Sequence, residues 1–376
     1  MLDLRLIRRD PDAVRAALAR RGDADRLDEV LSLDEDWRAA TATAERLRAE
    51  QKDASEGIAR AKRAGEDAGP LLERMKDMSA QVKALTERAR TAEERLQGVL
   101  ATLPNLPDPT AADQDTVIRE VGEIRVREGR DHLALAGDRI DTERGARLSG
   151  SRFVYLRGDL VMLEFALVRW TLEKLRGHGF EPVIPPVLVR EHALYGTGFL
   201  PDSEQQIYRV PDDDLYLAGT SEVALASMHA GEILEAADLP RRYAGFSTCF
   251  RREAGAAGKD TRGMFRVHQF DKVEMFSFVE PAESPAEHER LLAIEEEILQ
   301  DLELPYRVVN IAVDDLGSSA AKKFDCEAWL PGQGRYRELT SCSNTPAYQA
   351  RRLESRQRPE EGASPRHVHT LNGTAV

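Results

Sequence analysis

Two apolar tracks near the start of the chain limit what it can fold into. Stepping alternately by four and three from Leu33, one meets Leu33, Trp37, Ala40, Ala44, Leu47, Gln51, Ala54, Ile58 and Ala61. A second track runs Leu71, Met75, Met78, Val82, Leu85, Ala89, Ala92, Leu96, Val99 and Leu103. A spacing that averages 3.5 residues keeps an apolar seam on one side of a helix and lets two helices supercoil. Between the tracks lies Ala64-Gly65-Glu66-Asp67-Ala68-Gly69-Pro70, where glycine stops one helix and proline starts the next. The pattern predicts an antiparallel two-helix coiled-coil arm over residues 1–103 with its tip near 64–70. Helices of about 35 residues would reach roughly 50 Å at 1.5 Å per residue.

Punctuation on either side agrees. Asp10-Pro11 reads as an N-cap with proline in the first turn. Leu103-Pro104-Asn105-Leu106-Pro107-Asp108-Pro109 ends the arm and predicts a stiff linker over 104–130. A second domain is expected over 131–376. There, short β-rich runs alternate with helical ones. Strands are expected at Pro182–Val189, Asp214–Ala218, Tyr243–Phe250, Glu274–Val279, Tyr306–Ile311, Phe324–Trp329 and Arg335–Thr340, with an apolar, largely buried helix at Leu160–Leu175. Strands this close in sequence favour hairpins, so the class is α+β: a helical arm plus an antiparallel-dominated sheet with flanking helices. No dinucleotide-binding glycine fingerprint or P-loop is present.

The formal charge of −13, from 53 basic and 66 acidic residues, excludes a globally basic nucleic-acid binder but not a local basic patch. Residues 60–90 hold eight basic and five acidic side chains. Arg60, Lys62, Arg63, Arg74, Lys76 and Lys83 there could track phosphates, or could simply belong to a solvated helix of mixed charge; composition does not decide. No run approaches the ~20 apolar residues of a membrane span. Met1-Leu2-Asp3-Leu4-Arg5 has no apolar signal core. Cys249, Cys326 and Cys342 form neither a disulfide framework nor a zinc spacing. A cytoplasmic protein without membrane contact and without zinc is expected.

The densest chemistry runs from Cys249-Phe250-Arg251-Arg252-Glu253, through a loop with Gly255, Gly258, Lys259, Asp260, Arg262 and Gly263, to Phe265-Arg266-Val267-His268-Gln269-Phe270-Asp271-Lys272-Val273-Glu274. Arginine forks suit a polyphosphate, a carboxylate beside them can accept from an exocyclic amine, and Phe270 offers a face for a base. A charged surface hairpin is the plainer alternative.

This string resembles the second signature motif of class II aminoacyl-tRNA synthetases, and in its longer form the bacterial seryl-tRNA synthetase family. Ser149-Gly150-Ser151-Arg152-Phe153, Tyr195-Gly196-Thr197-Gly198, Thr220-Ser221-Glu222-Val223, Lys322-Lys323-Phe324-Asp325, Arg337-Glu338-Leu339-Thr340-Ser341-Cys342-Ser343-Asn344, Gln349-Ala350-Arg351-Arg352 and His369-Thr370-Leu371-Asn372-Gly373-Thr374 match the same family, as does the arm. The resemblance implies a class II synthetase-type domain and a homodimer that activates L-serine with ATP and Mg²⁺ and transfers it to tRNA(Ser), with tRNA(Sec) left open. By that resemblance, Arg251, Glu253, Arg266 and Glu338 are the catalytic set. ATP would be held by Arg251, Arg252, Glu253, Val267, Phe270, Glu338, Leu339, Thr340 and Ser341. Serine would meet Thr220, Ser221, Glu222, Glu274, Asn372 and Thr374, and Mg²⁺ would lie on Glu338 and Ser341. Family members continue past the position of Val376 into a third motif, so a truncated chain is expected. A non-catalytic tRNA-binding relative or inactive fragment, a ligase for a carrier protein and a coiled-coil scaffold are the alternatives. The last two fit poorly, because the carrier-protein offshoots lack the arm and a scaffold needs no second motif.

Overall fold

A computed structural model describes residues 1–201, 206–255 and 263–376. Gly258, Lys259, Asp260, Thr261 and Arg262 of the motif loop lie outside the described residues. The chain divides into two compact units, one of Asp3–Ala19 and Asp23–Leu103, the other of Met1–Leu2, Arg20–Gly22 and Pro104–Val376.

In the first unit, two short helices, Leu4–Arg9 and Pro11–Ala19, precede the long helices Arg26–Ala64 and Gly69–Thr102. Asp10 caps the second short helix through a 3.1 Å bond from the Ala13 N–H. The first long helix ends where Gly65 turns left-handed, φ 72°, and its N–H returns to the Ala61 and Lys62 carbonyls; only glycine adopts that φ freely. The seam is the expected one. Leu33, Ala40, Ala44, Leu47, Ile58 and Ala61 are buried against Met78, Ala92, Leu96 and Leu100. Each fully buried leucine contributes about 1.5–3 kcal/mol. Gln51, the polar stop in the first track, donates to Ser79 at 2.8 Å, and Arg48 donates to Thr86 at 2.9 Å. These pairings run in opposite directions along the two helices, which makes the hairpin antiparallel. Asp34 is buried and held by Arg8 and by Arg38 at 2.9 Å.

The second unit is built on an eight-stranded sheet. Its strands lie side by side in the order Thr116–Val121, Tyr306–Asn310, Lys322–Leu330, Arg335–Asn344, His369–Thr374, Gln269–Val279, Arg241–Phe250 and Glu181–Val183. Every pairing is antiparallel except the last. The helix Ser284–Asp301 packs on one face, burying Leu291, Leu292, Ile294, Ile298 and Leu299 against Val273, Met275, Val308, Phe324 and Leu371. The other face carries the site.

Three expectations change here. The run Pro182–Val189 is not one strand but two, Glu181–Val183 and Leu188–Val189, which belong to different sheets. Residues 104–130 are not simply a stiff linker: Thr116–Val121 is an edge strand, pinned by Arg119 to Glu296. Asn105, with Arg21, bonds the carbonyls of the loop 316–320. The helix Asp159–Gly177, expected to be largely buried, buries only Thr171 and Leu175, while Met162, Leu163 and Phe165 are 68%, 53% and 60% exposed.

Candidate active site

A cavity of about 540 Å³ opens on the free face of the sheet. Strand alternation points Phe270, Lys272 and Glu274 of one strand into it, and Asn372 and Thr374 of the next. Glu274 lies directly across from Thr374 in the pairing register. The strand Arg335–Asn344 adds Glu338, Leu339, Ser341 and Ser343. Strict alternation would send Glu338 and Ser341 to opposite faces. A bulge resolves this: Thr340 pairs with Cys326 and Glu338 with Glu327, so Leu339 is the extra residue. Thr340 is therefore turned from the cavity and donates to Glu295 beneath the sheet at 3.0 Å. Burial raises the Glu295 carboxyl well above the ordinary range, so that floor is an acid kept neutral.

The carboxylates of the cavity are tied into one network. Asn372 Nδ2 donates to Glu222 Oε2 at 3.0 Å and to Glu274 Oε1 at 3.2 Å. Lys272 pairs with Glu274 and donates to Thr220 Oγ1 at 2.8 Å, where the Glu222 N–H also arrives at 3.2 Å. With two donors on its oxygen, Thr220 keeps its own proton to offer elsewhere. Burial, with Glu274 beside it, pushes the Glu222 carboxyl up to about 7, while Gln349, Lys272 and Arg251 pull against that rise. At the rim, Lys323 holds Asp325 at 2.8 Å and lies 3.7 Å from Glu338, whose side chain is 54% exposed. Burial pushes Asp325 up to about 7 although Lys323 opposes it.

Arg251 lies on the cavity wall with its guanidinium 5.2 Å from the centre of the Phe270 ring and bonded to the Gly219 carbonyl at 3.1 Å. A neighbouring recess of about 470 Å³ shares Arg251 and Phe199, and there Glu253 and Arg266 form an ion pair. These arginines and Glu253 lie beyond the strand ends at Phe250 and Gln269 rather than on the strands. Glu253 takes a left-handed φ of 50°.

The structure thus brings Thr220, Glu222, Arg251, Phe270, Glu274, Glu338, Leu339, Ser341, Asn372 and Thr374 to one cavity, with Glu253 and Arg266 adjoining. Four expected residues stand apart from it. Ser221 donates to the Gly245 carbonyl at 3.1 Å and is buried. Thr340 faces the core. Val267 lines an adjoining, more apolar cavity that meets the first at Phe270 and Lys272. Arg252 is exposed, with its N–H on the Gln206 carbonyl. Lys272, Lys323 and Gln349 fall within the quoted motif runs, but no role was read for them or for the Ser318–Ser319 wall. Lys272 was legible, being two residues before Glu274 on one strand; the others depend on tertiary placement. All three cysteines are buried and free, with thiols that burial pushes up, so none offers a thiolate.

On the arm, Arg60, Lys62, Arg63, Arg74, Lys76 and Lys83 are all exposed. Among the described residues none of these six has an ion-pair partner. Arg88 is bound by Asp36, and Arg90 by Glu87 and Glu94.

Comparison with known proteins accords with this geometry. Residues 1–107 match the seryl-tRNA synthetase N-terminal domain, and residues 207–376 match the tRNA synthetase class II core domain (G, H, P, S and T). The serine–tRNA ligase of Acidothermus cellulolyticus is 52% identical over 386 residues, covering 100% of this chain and 91% of that protein. That of Thermobifida fusca is 50% identical, covering 100% and 90%. The crystal structure of seryl-tRNA synthetase from Pyrococcus horikoshii complexed with ATP superposes with a TM-score of 0.95 at 41% identity, covering 100% of this chain and 91% of that one. With an arm and a core that both match, and half of its residues shared with bacterial relatives along its full length, the chain belongs to the seryl-tRNA synthetase family.

Proposed function

We infer that the chain is a serine–tRNA ligase that activates serine with ATP and esterifies the 3′ end of tRNA. The observation that carries this reading is the cavity that gathers Thr220, Glu222, Glu274 and Asn372 beside Arg251 and Phe270, in a chain about half identical to serine–tRNA ligases throughout.

In the first step a serine carboxylate oxygen attacks the α-phosphorus of ATP, the bond to the bridging oxygen breaks, and pyrophosphate leaves. In the second a terminal ribose hydroxyl of the tRNA attacks the seryl carbonyl and AMP leaves. Neither step needs a protein nucleophile, in keeping with the buried thiols. The chain's own contribution is placement and charge. Phe270 would stack on adenine and Arg251 would leave the ring for the α-phosphate. Glu253 would accept from the adenine amine, and Arg266, oriented by its ion pair with Glu253, would reach the outer phosphates. Backbone groups of Leu339 and Thr340 can still border the nucleotide although the Thr340 hydroxyl does not.

Glu338 and Ser341 put a carboxylate and a hydroxyl on the same wall, a donor set suited to Mg²⁺ when phosphate oxygens complete it. Among the described residues no cluster of three or more His, Cys, Asp or Glu side chains is placed to hold a metal. Magnesium would therefore arrive with the triphosphate, where it neutralises phosphate charge.

Glu222 and Glu274 offer two acceptors for the serine ammonium and hydroxyl, and Thr220 offers a donor. A site built to bond a hydroxyl rejects the analogue lacking it far better than an apolar pocket can. The six unpaired cations of the distal arm suit the tRNA backbone, read by shape; tRNA(Ser) is the proposed partner, with tRNA(Sec) sharing the same chemistry. The exposed Met162, Leu163 and Phe165, with Ile184 82% exposed, form an apolar surface that a second copy would cover, giving a homodimer working in the cytoplasm. No helix among the described residues is long and apolar enough to cross a membrane. Charging of tRNA(Ser) with labelled serine by the purified chain tests the reading. Ester formation that needs both ATP and serine is expected, and tRNA binding without ester formation would favour a non-catalytic relative.

A further inference from the structure

Beneath the proposed serine subsite lies a residue that does not line its cavity. Gln349, on the helix Tyr348–Leu353, is completely buried. Its amide orientation is fixed by its neighbours. The nitrogen lies 3.3 Å from the Thr197 carbonyl, which can only accept, and the oxygen receives the Thr370 hydroxyl at 2.9 Å. The same nitrogen donates to Glu222 Oε1 at 2.7 Å. Both amide protons are therefore committed, one to Thr197 and one to Glu222, and Glu222 Oε1 is held as an acceptor. Asn372 Nδ2 does the same for Oε2 at 3.0 Å. A carboxyl whose two oxygens both receive protons is favoured as the anion.

We propose that Gln349 is a positioning residue of the serine subsite, whose amide keeps Glu222 ionised and aimed so that it can receive the substrate ammonium. This rests on the serine-ligase reading of the same cavity. The need for such a clamp is visible in the surroundings. Glu274 and Lys272 face Glu222 from the strand Gln269–Val279, Arg251 from the end of Arg241–Phe250, and Asn372 from His369–Thr374. On the helix Glu191–Thr197, the Thr197 carbonyl is taken by Gln349. Burial and the adjacent Glu274 favour the protonated acid. Gln349 is the neutral donor opposing them that the substrate does not have to displace.

The test is serine binding by calorimetry on the full chain, over pH about 5.5 to about 8.5, for wild type and Gln349→Met. A hydrogen bond to a charged group is worth enough to move the acid limb of serine affinity up by about one to two pH units. At neutral pH the variant should bind serine about tenfold more weakly and recover as pH rises. Its ATP affinity should stay within about twofold, whereas a general packing fault would lower both and would not be repaired by alkali. An acid limb that does not move overturns the proposal. Should Gln349→Met fail to fold, the wild-type carboxyl infrared band that is absent from Glu222→Gln decides the matter. A protonated band about half lost near pH 7 and gone by about pH 8.5 is expected, and its undiminished persistence at about pH 8.5 overturns the clamp. If wild type binds no serine at any pH, the ligase reading falls, and the same band still judges Gln349 separately.

Discussion

Replacing Arg60, Lys62 and Arg63 together by glutamine should weaken tRNA binding through its salt dependence alone. All three are exposed near the arm tip and, among the described residues, have no ion-pair partner, and Arg74, Lys76 and Lys83 continue the patch on the second helix. If each neutralises one phosphate, log K plotted against log salt loses about 0.7–0.9 of slope per residue, or roughly 2–3 for the triple variant. Near 0.1 M salt that corresponds to about a hundredfold loss of affinity, shrinking towards nothing at 1 M. Stability should stay within about 0.5 kcal/mol, because these side chains support no packing. The assay is tRNA binding over a salt series, with serine-dependent exchange of pyrophosphate into ATP as a control expected to be unchanged. The comparison variant is Arg88→Gln with Arg90→Gln. Those guanidiniums are already neutralised by Asp36, Glu87 and Glu94, so the slope should move by less than about 1. An unchanged slope in the triple variant, or an equal change in the paired one, would refute the assignment of the patch.

Three further outcomes follow from particular contacts. Gly373→Ala would place a methyl 2.9 Å from Glu295 Oε1 and 3.1 Å from the Cys342 Cβ; a cost of about 1–3 kcal/mol and a raised KM for serine are expected from urea midpoints and exchange kinetics. Glu295 keeps its proton when folded but ionises when unfolded above its ordinary value of 4.5, so the folded chain binds more protons and stability falls as pH rises past that value. Glu295→Gln should remove this part of the fall, leaving urea midpoints at pH 5 and pH 8 closer together than in wild type. Phe165→Glu should yield monomers in sedimentation experiments if the exposed face of the helix Asp159–Gly177 meets a second copy.

The arm was readable because its physics is one-dimensional. A 3.5-residue period, a left-handed glycine at 65 and a proline at 70 each specify local structure without help from the rest of the chain. Most strand positions were readable for the same reason, since alternation decides which side chains share a face; the run Pro182–Val189 was not, because it breaks into two strands of different sheets. What failed depends on partners distant in sequence. Thr340 stands in the same run as Glu338 and Ser341, but the bulge at Leu339 depends on pairing with Cys326 and Glu327, and it alone turns the Thr340 hydroxyl to the core. Thr116–Val121 is an exposed edge strand with almost no buried face, so it shows no alternation to find. The apolar helix at 159–177 has the composition of a core element, yet its seam faces outward within a single chain. Gln349 stands in a run that matches the family, but nothing local shows its role, which comes from Thr197, Glu222 and Thr370 converging on one amide.

The most direct test of the account is ATP–pyrophosphate exchange by this chain with serine and with alanine. The polar cavity predicts exchange that depends on serine, with alanine slower by about 10⁴-fold because Glu274 and Thr220 would be left without the hydroxyl. No exchange with serine, or comparable exchange with alanine, would contradict it.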